Sequence, residues 1–522
     1  MNTLTLGIVL IIYIFLLASL SYLGYRQTKT ANDYLLGGRS VNPIIMALSY
    51  GATFISASAI VGFGGVAATF GMGLQWLCLL NVFMGVIVAF ILFGRRTRRL
   101  GAQFNARTFA QLLGLHYKSR VIQIFVAAVI FIGMPVYAAV VMKGGAVFIE
   151  RMFNMDFNIA LLIFTFIIAT YVITGGIKGV LYTDAMQASI MFGCMFFLLI
   201  WFYQTLDLGF VEANEKLAAM EHLVPERYQA LGHQGWTRMP VSGSPQWYTL
   251  VSSLILGVGI GCLAQPQLVV RFMMVDSTKQ LNRGVLIGTI FLFITVGAIY
   301  HVGALSNIFF WETESKVAAD VVPDMDKIIP YFIDKAMPEW FGAVFMLCIL
   351  SATISTLSAQ FHTMGAAFGE DTFPKLARKK NPNSSMGVRF GIMIAIVLSY
   401  VICYTLSADI IARGTALFMG VCAATFLPSY FASLYWKGAT KQGALASLIV
   451  GTVASLFVML FVHKAEAVPI GLCQMLTGRE VLISVYPWFA IDPLIFALPL
   501  SSLSLIIISI LTKPSQEKTS TS

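Results

Sequence analysis

A chain of 522 residues that is 58% hydrophobic and only 11% charged is too apolar for a soluble globular protein, in which apolar residues make up about half. Its formal net charge of +10 rests on few charged groups, so it describes basic loops between apolar runs and excludes a nucleic-acid surface. The seven cysteines show neither a disulfide framework nor a metal-ligand spacing. The expected class is therefore an all-α polytopic membrane protein.

Runs long enough to cross a hydrocarbon core of roughly 30 Å recur along the whole chain. Thirteen spans are expected: Leu4–Gly24, Pro43–Phe70, Gly73–Phe93, Val121–Ile149, Asn158–Thr174, Thr183–Trp201, Trp247–Phe272, Gly284–Phe310, Trp340–Ala367, Phe390–Leu406, Ile411–Tyr435, Gly443–Val462 and Phe489–Leu511. The first lacks a basic stretch before it and a small-residue cleavage site after it, so it reads as a retained span. With the amino terminus outside, the inner loops hold the large majority of the Lys and Arg, Arg271 among them. That asymmetry places the amino terminus outside and the carboxyl terminus in the cytoplasm. The outer loop from Tyr203 to Gln246 is polar and is expected to carry a surface helix. A second outer loop, Trp311 to Glu339, bears Glu312, Glu314, Asp320, Asp324 and Asp326; it reads as a solvated cap, or alternatively as a cation-attracting vestibule. The tail from Lys513 to Ser522 is expected to be disordered.

Two apolar segments are interrupted by small residues at matching places: Ala47–Gly65 opens the second span, and Ile255–Pro266 lies in the seventh. A weakened helix in lipid is tolerated only beside protein or a wet cavity, and paired interruptions point to the binding site of a secondary transporter. Spans two to six and seven to eleven form two sets of five. Because five is odd, the sets are inverted in the membrane. The expected organisation is a leading helix (1–30), a first five-helix repeat (31–205), an outer loop (206–246), a second repeat (247–436), two trailing helices (437–512) and the tail (513–522).

A break within Ser49, Ala52, Thr53, Ile55, Ser56, Ala57 and Ser58 would free the carbonyls of Ala52 and Ile55, although such small residues also suit close helix packing. In the ninth span Ala352, Ser355 and Thr356 lie at i, i+3 and i+4, on one helix face. One carbonyl and two hydroxyls from this face would complete a cage of five neutral oxygens, which suits a monovalent ion; divalent sites usually recruit carboxylates. Ser and Thr can equally bond their own i−4 carbonyls. Asp184 sits at the edge of the sixth apolar run, where an ionisable residue is a functional candidate or a water-facing cap. Lys143 is expected to snorkel outward, and His301 and His362 to be packed.

These residues lie in motifs that resemble the sodium/solute symporter family, which includes bacterial proline and pantothenate carriers and animal sodium–glucose cotransporters. The motifs are Asp33–Val41, Ala52–Gly62, Gly175–Gln187, Gln265–Met273 and Ser351–Gln360, and the resemblance covers nearly the whole chain. It implies a sodium site at Ala52, Ile55, Ala352, Ser355 and Thr356, the set that the spacing also suggests. It implies a possible second sodium at Asp184, Ser355 and Ser358, with Ala359 standing where a further hydroxyl would be. The resemblance further suggests Thr53, Ser56, Tyr137 and Gln265 as substrate contacts. Cys262 and Val258 replace aromatic residues of the proline carriers and Phe54 replaces their aspartate, which argues against proline. Arg283–Ile290 and His301–Asn307 look more like pantothenate and monocarboxylate carriers.

The expected function is secondary active uptake of a small carboxylate with sodium as coupling ion, across a bacterial inner membrane, by alternating access; a sugar or amino acid is the alternative solute. One sodium driven by about −100 mV contributes roughly 2.3 kcal/mol, and a tenfold gradient adds about 1.4 kcal/mol. For a monoanion at 1:1 the electrical part cancels, so a carboxylate favours a second cation, for which Asp184 is the candidate. Neither a charge ring nor a carbonyl-filter repeat supports a channel, no signalling module supports a sensor, and no catalytic constellation supports an enzyme.

Overall fold

In lipid, backbone polar groups are satisfied within helices, and every regular element among the described residues is helical. The computed structural model describes residues 3–27, 31–39, 41–275, 277–372, 384–406 and 410–513; the expected disordered tail lies outside them, apart from Lys513. The principal helices are α1 (Thr3–Arg26), α2 (Pro43–Phe54), α3 (Ser58–Phe70), α4 (Met72–Gln103), α5 (Arg120–Phe153), α6 (Phe157–Leu206), α7 (Pro245–Ala264), α8 (Pro266–Phe272), α9 (Thr278–Glu314), α10 (Glu339–Thr372), α11 (Ser384–Thr405), α12 (Ile411–Tyr435), α13 (Lys441–Phe461) and α14 (Pro493–Leu511).

Among the described residues, 11 helices are long and apolar enough to cross a membrane, or up to 12 when the bent pair α2–α3 is one span. The shorter apolar helix Phe157–Ile173 accounts for the remaining expected segment. It is not separated from the next span by a loop. Helix α6 runs on through Gly176 (φ 59, ψ −179), where it kinks, because only glycine enters that region without a Cβ penalty. Lys178, expected in a loop, therefore lies on a helix and pairs with Asp33 at 3.1 Å. The outer loop carries the expected surface helix, Phe210–Ala219.

The centre of the bundle is α10. Of its spanning window 89% is buried, against 22% for α1 and 28% for both α13 and α14, so those three face lipid. Helix α10 packs on α2, α5 and α6, while α9 packs on α2 and α3. Small residues permit these approaches: a Cβ on Gly303 of α9 would sit 2.5 Å from the Gly64 carbonyl oxygen of α3.

The peripheral helices α13 and α14 are tied to α12 by a buried polar cluster. His463, which follows α13, shares a short hydrogen bond with Glu466, and Glu466 also faces Arg413 at 3.5 Å. Burial alone would lower the His463 imidazole, but the Glu466 carboxylate, aided by Asp492, raises it above its ordinary value. A raised folded-state value stabilises the fold below an unfolded pKa of about 6.5, and this contribution is lost as pH rises through the folded value. The thermal midpoint is expected to fall over that interval, and His463→Gln to flatten the fall. The same slope in the variant would contradict the assignment.

Candidate functional site

The first break follows from local sequence. Asn42 caps α2 by accepting from the Ile44 N–H, and Pro43 starts the helix. Its ladder ends where the Ile55 N–H reaches the Gly51 carbonyl at 2.9 Å. Ile55 itself is extended (φ −87, ψ 107), and α3 leaves at 56° to α2. Carbonyls near the break thus lose their helical partners in a place that water does not reach, where an unmet polar group is costly.

Helix α10 supplies substitutes. Ser355 Oγ lies 2.9 Å from the Ala52 carbonyl, 2.7 Å from the carbonyl of Ser351 one turn back and 3.2 Å from that of Ala352, and its one proton is shared among them. Thr356 Oγ1 lies 3.1 Å from the Thr53 carbonyl and 3.4 Å from that of Ile55. The structure therefore brings Ala52, Ile55, Ala352, Ser355 and Thr356 together, all of them buried. The cluster is made of neutral oxygens. Each hydroxyl proton sits where a cation could replace it by turning the hydroxyl lone pairs inward.

The second break is at Gln265 (φ −70, ψ 116), followed by Pro266 as the first residue of α8. Pro266 pushes the preceding residue out of the helical region and is itself suited to a helix start. One turn further on, α8 delivers a residue that the sequence reading had counted as a loop charge. Arg271 is 1% exposed. Its Nη2 donates to Asp184 Oδ2 at 3.0 Å and to Thr53 Oγ1 at 2.8 Å, while Ser49 Oγ donates to the same Asp184 oxygen at 2.7 Å. Asp184 is fully buried and so is no water-facing cap. The ion pair joins α2 and α8, the helices beside the two breaks, through α6. A lone Arg within LVVRFMMV and a lone Asp in VLYTDAMQ were the signal. Their pairing was not readable from position.

Of the residues suggested for a second sodium, Asp184 keeps one buried carboxylate oxygen, Oδ1, without a hydrogen-bond partner among the described residues. Asp184 Oδ2 is engaged by Arg271, and the Ser358 hydroxyl turns to the Ser355 carbonyl at 3.0 Å. The four suggested substrate contacts divide. Ser56 lies beside the Tyr137 hydroxyl, and the Tyr137 ring stacks on Phe418 at 5.2 Å. The Gln265 amide donates to the Gly261 carbonyl at 3.4 Å and accepts from Gln267 at 3.3 Å, and it lies beside Cys422, four residues along α12 from Phe418. Thr53 instead belongs to the Asp184–Arg271 network. Nearby, Tyr13 is bonded to Ser351 and Gln187, and Tyr171 to Thr183, the residue before Asp184. Lys143 contacts the Leu406 carbonyl at 3.5 Å, and His362 the Tyr34 carbonyl at 3.1 Å.

Two cavities are lined by residues of the helices that flank the first break. One of about 410 Å³ is lined by Val66, Phe70, Leu254, Arg413 and Leu417; the other, about 300 Å³, by Gln27, Val41, Asn42, Ile45 and Lys178. Ser56, Tyr137 and Gln265 line neither. Because breaking a buried pair from one side leaves a charge unmet, at a cost of about 3–5 kcal/mol, Arg271→Gln is expected to lower the thermal midpoint in sodium-free buffer. Added sodium, free to reach Asp184, is expected to restore more of it than in the unsubstituted protein. Equal sodium shifts in both proteins would contradict this.

Comparison with known proteins agrees with this architecture. The model of the Sodium:solute symporter family matches residues 34–451, and the chain belongs to that family. It is 26% identical over 452 residues to the sodium/pantothenate symporter of Haemophilus influenzae, covering 85% of this chain and 87% of the relative. It is 26% identical over 447 residues to the sodium/proline symporter of Salmonella typhimurium, covering 85% of each. A sodium-coupled sialic acid symporter, solved in a substrate-bound outward-open state, superposes with a TM-score of 0.75 at 18% identity, covering 98% of this chain and 97% of that one. The fold is thus that of a secondary transporter, and the chain is not an enzyme.

Proposed function

We propose that this member of the sodium:solute symporter family couples one sodium ion to the inward movement of a small carboxylate across a bacterial inner membrane, with its amino terminus outside. The observation that carries the reading is the convergence of the Ser355 and Thr356 hydroxyls on the carbonyls freed at Ala52, Thr53 and Ile55. Sodium would bind among Ala52, Ile55, Ala352, Ser355 and Thr356, where neutral oxygens suit a monovalent ion. It would take over the carbonyls that the hydroxyl protons now satisfy, and so fix the angle between α2 and α3.

Ser56, Tyr137 and Gln265 are the proposed solute contacts. They border the two breaks, so solute and sodium would stabilise the same backbone arrangement. The Asp184–Arg271 pair would act as a lock: α2 and α8 part only when it separates, and release of both cargoes follows. Since Arg271 already supplies Asp184 with a cation, the reading needs no second sodium. A monoanion would then move with one sodium and no net charge, and accumulation would follow the sodium gradient alone.

Reconstituted liposomes with an imposed sodium gradient test the reading, using pantothenate, acetate, pyruvate, proline and glucose as solutes. Sodium-dependent uptake of a carboxylate with a Hill coefficient of one is expected. Losing one ligand hydroxyl removes an interaction of about 1.5–3 kcal/mol with a charge, so Ser355→Ala and Thr356→Ala are each expected to raise the half-saturating sodium concentration by about tenfold or more. Unchanged sodium dependence in both variants would reject the site, and uptake of proline or glucose alone would reject the substrate class.

A further inference from the structure

A further cavity lies apart from both helix breaks. It is a groove of about 720 Å³ between α1, the first half of α6 and the start of α11, lined by residues that include Leu17, Tyr22, Tyr25, Phe166, Tyr171 and Arg389. Its volume lies within the range of about 300–1,000 Å³ typical of ligand pockets. Helix α1 is mostly uncovered by protein, so the groove opens to the bilayer and not to water. Among the described residues its lining is apolar except for a few hydroxyls, and Arg389 is the one charged member. Arg389 lies six residues into α11, and Tyr22 and Tyr25 lie near the end of α1 that carries Arg26. Apolar walls with a guanidinium and hydroxyl donors at one end match an acyl chain joined to an anionic headgroup.

We propose that this groove is a binding site for one anionic glycerophospholipid of the leaflet facing the basic loops. Its acyl chain lies along Leu17 and Phe166, and its phosphate is held by Arg389 with Tyr22 and Tyr25. Basic pockets between membrane helices on the cytoplasmic side are known to take anionic headgroups. The wall at Tyr171 places the lipid against a ring whose hydroxyl bonds to Thr183, the neighbour of Asp184. The proposal is independent of which solute is carried.

The test is native mass spectrometry of the purified full-length protein with an equimolar mixture of dioleoyl phosphatidylglycerol and dioleoyl phosphatidylcholine. One retained phosphatidylglycerol is expected, preferred about fivefold, since one basic group contributes about 1 kcal/mol toward an anionic lipid. Arg389→Gln is expected to keep a lipid and lose the preference, and Ala18→Trp, which fills the groove, to lose the retained lipid. No preference in the unsubstituted protein, an undiminished one in Arg389→Gln, or unchanged retention in Ala18→Trp would each overturn the proposal.

Discussion

Carbonyl groups set free inside a membrane must find new partners, and this fold is arranged around that requirement. Where α2 stops at Phe54, the next regular hydrogen bond begins only with the Ala59 N–H on Ser56. The intervening carbonyls turn toward α10, the most buried of the spanning helices. The hydroxyls of Ser355 and Thr356 meet them. Bundle architecture, small residues at the break and hydroxyls on the neighbouring helix are thus consequences of one constraint. A break without those hydroxyls would leave several buried acceptors unmet, each at a cost of about 1–3 kcal/mol.

The second break obeys the same rule with other means. Pro266 enforces the extended turn at Gln265, and α8 then carries Arg271 into the interior. A buried guanidinium persists only when paired and hydrogen bonded; Asp184 and Thr53 provide both. The first interruption is therefore tied to α10 by the neutral-oxygen cluster, and the two interruptions are joined to each other by the Arg271 ion pair and its bond to Thr53. In the proposed cycle, rocking of one helix set against the other would strain both contacts together. Such coupling is what alternating access around a fixed site requires.

Much of this was legible in the residues. Apolar runs, basic loops and the two small-residue interruptions located the helices and both breaks, because lipid leaves the backbone so few choices. The face of α10 at Ala352, Ser355 and Thr356 followed from helical spacing alone. What was not legible depended on tertiary approach. Arg271 looked like a loop charge because the chain turns basic nearby, and only folding shows α8 directed inward. Thr53 seemed suited to a solute because its neighbours were, yet its side chain leaves the break on the face toward Asp184. Continuity across Gly176 was hidden because a glycine can end a helix or bend it. The groove beside Arg389 needed three distant segments to be placed together.

The measurement that bears most directly on the account is a high-resolution structure of the protein determined in sodium, compared with one determined in a sodium-free buffer. An ion within coordinating distance of the Ala52, Ile55 and Ala352 carbonyls and of the Ser355 and Thr356 hydroxyl oxygens, with Arg271 still on Asp184, is the predicted result. An ion bound at Asp184 in place of Arg271, or hydroxyls that go on donating to the α2 carbonyls in saturating sodium, would contradict it.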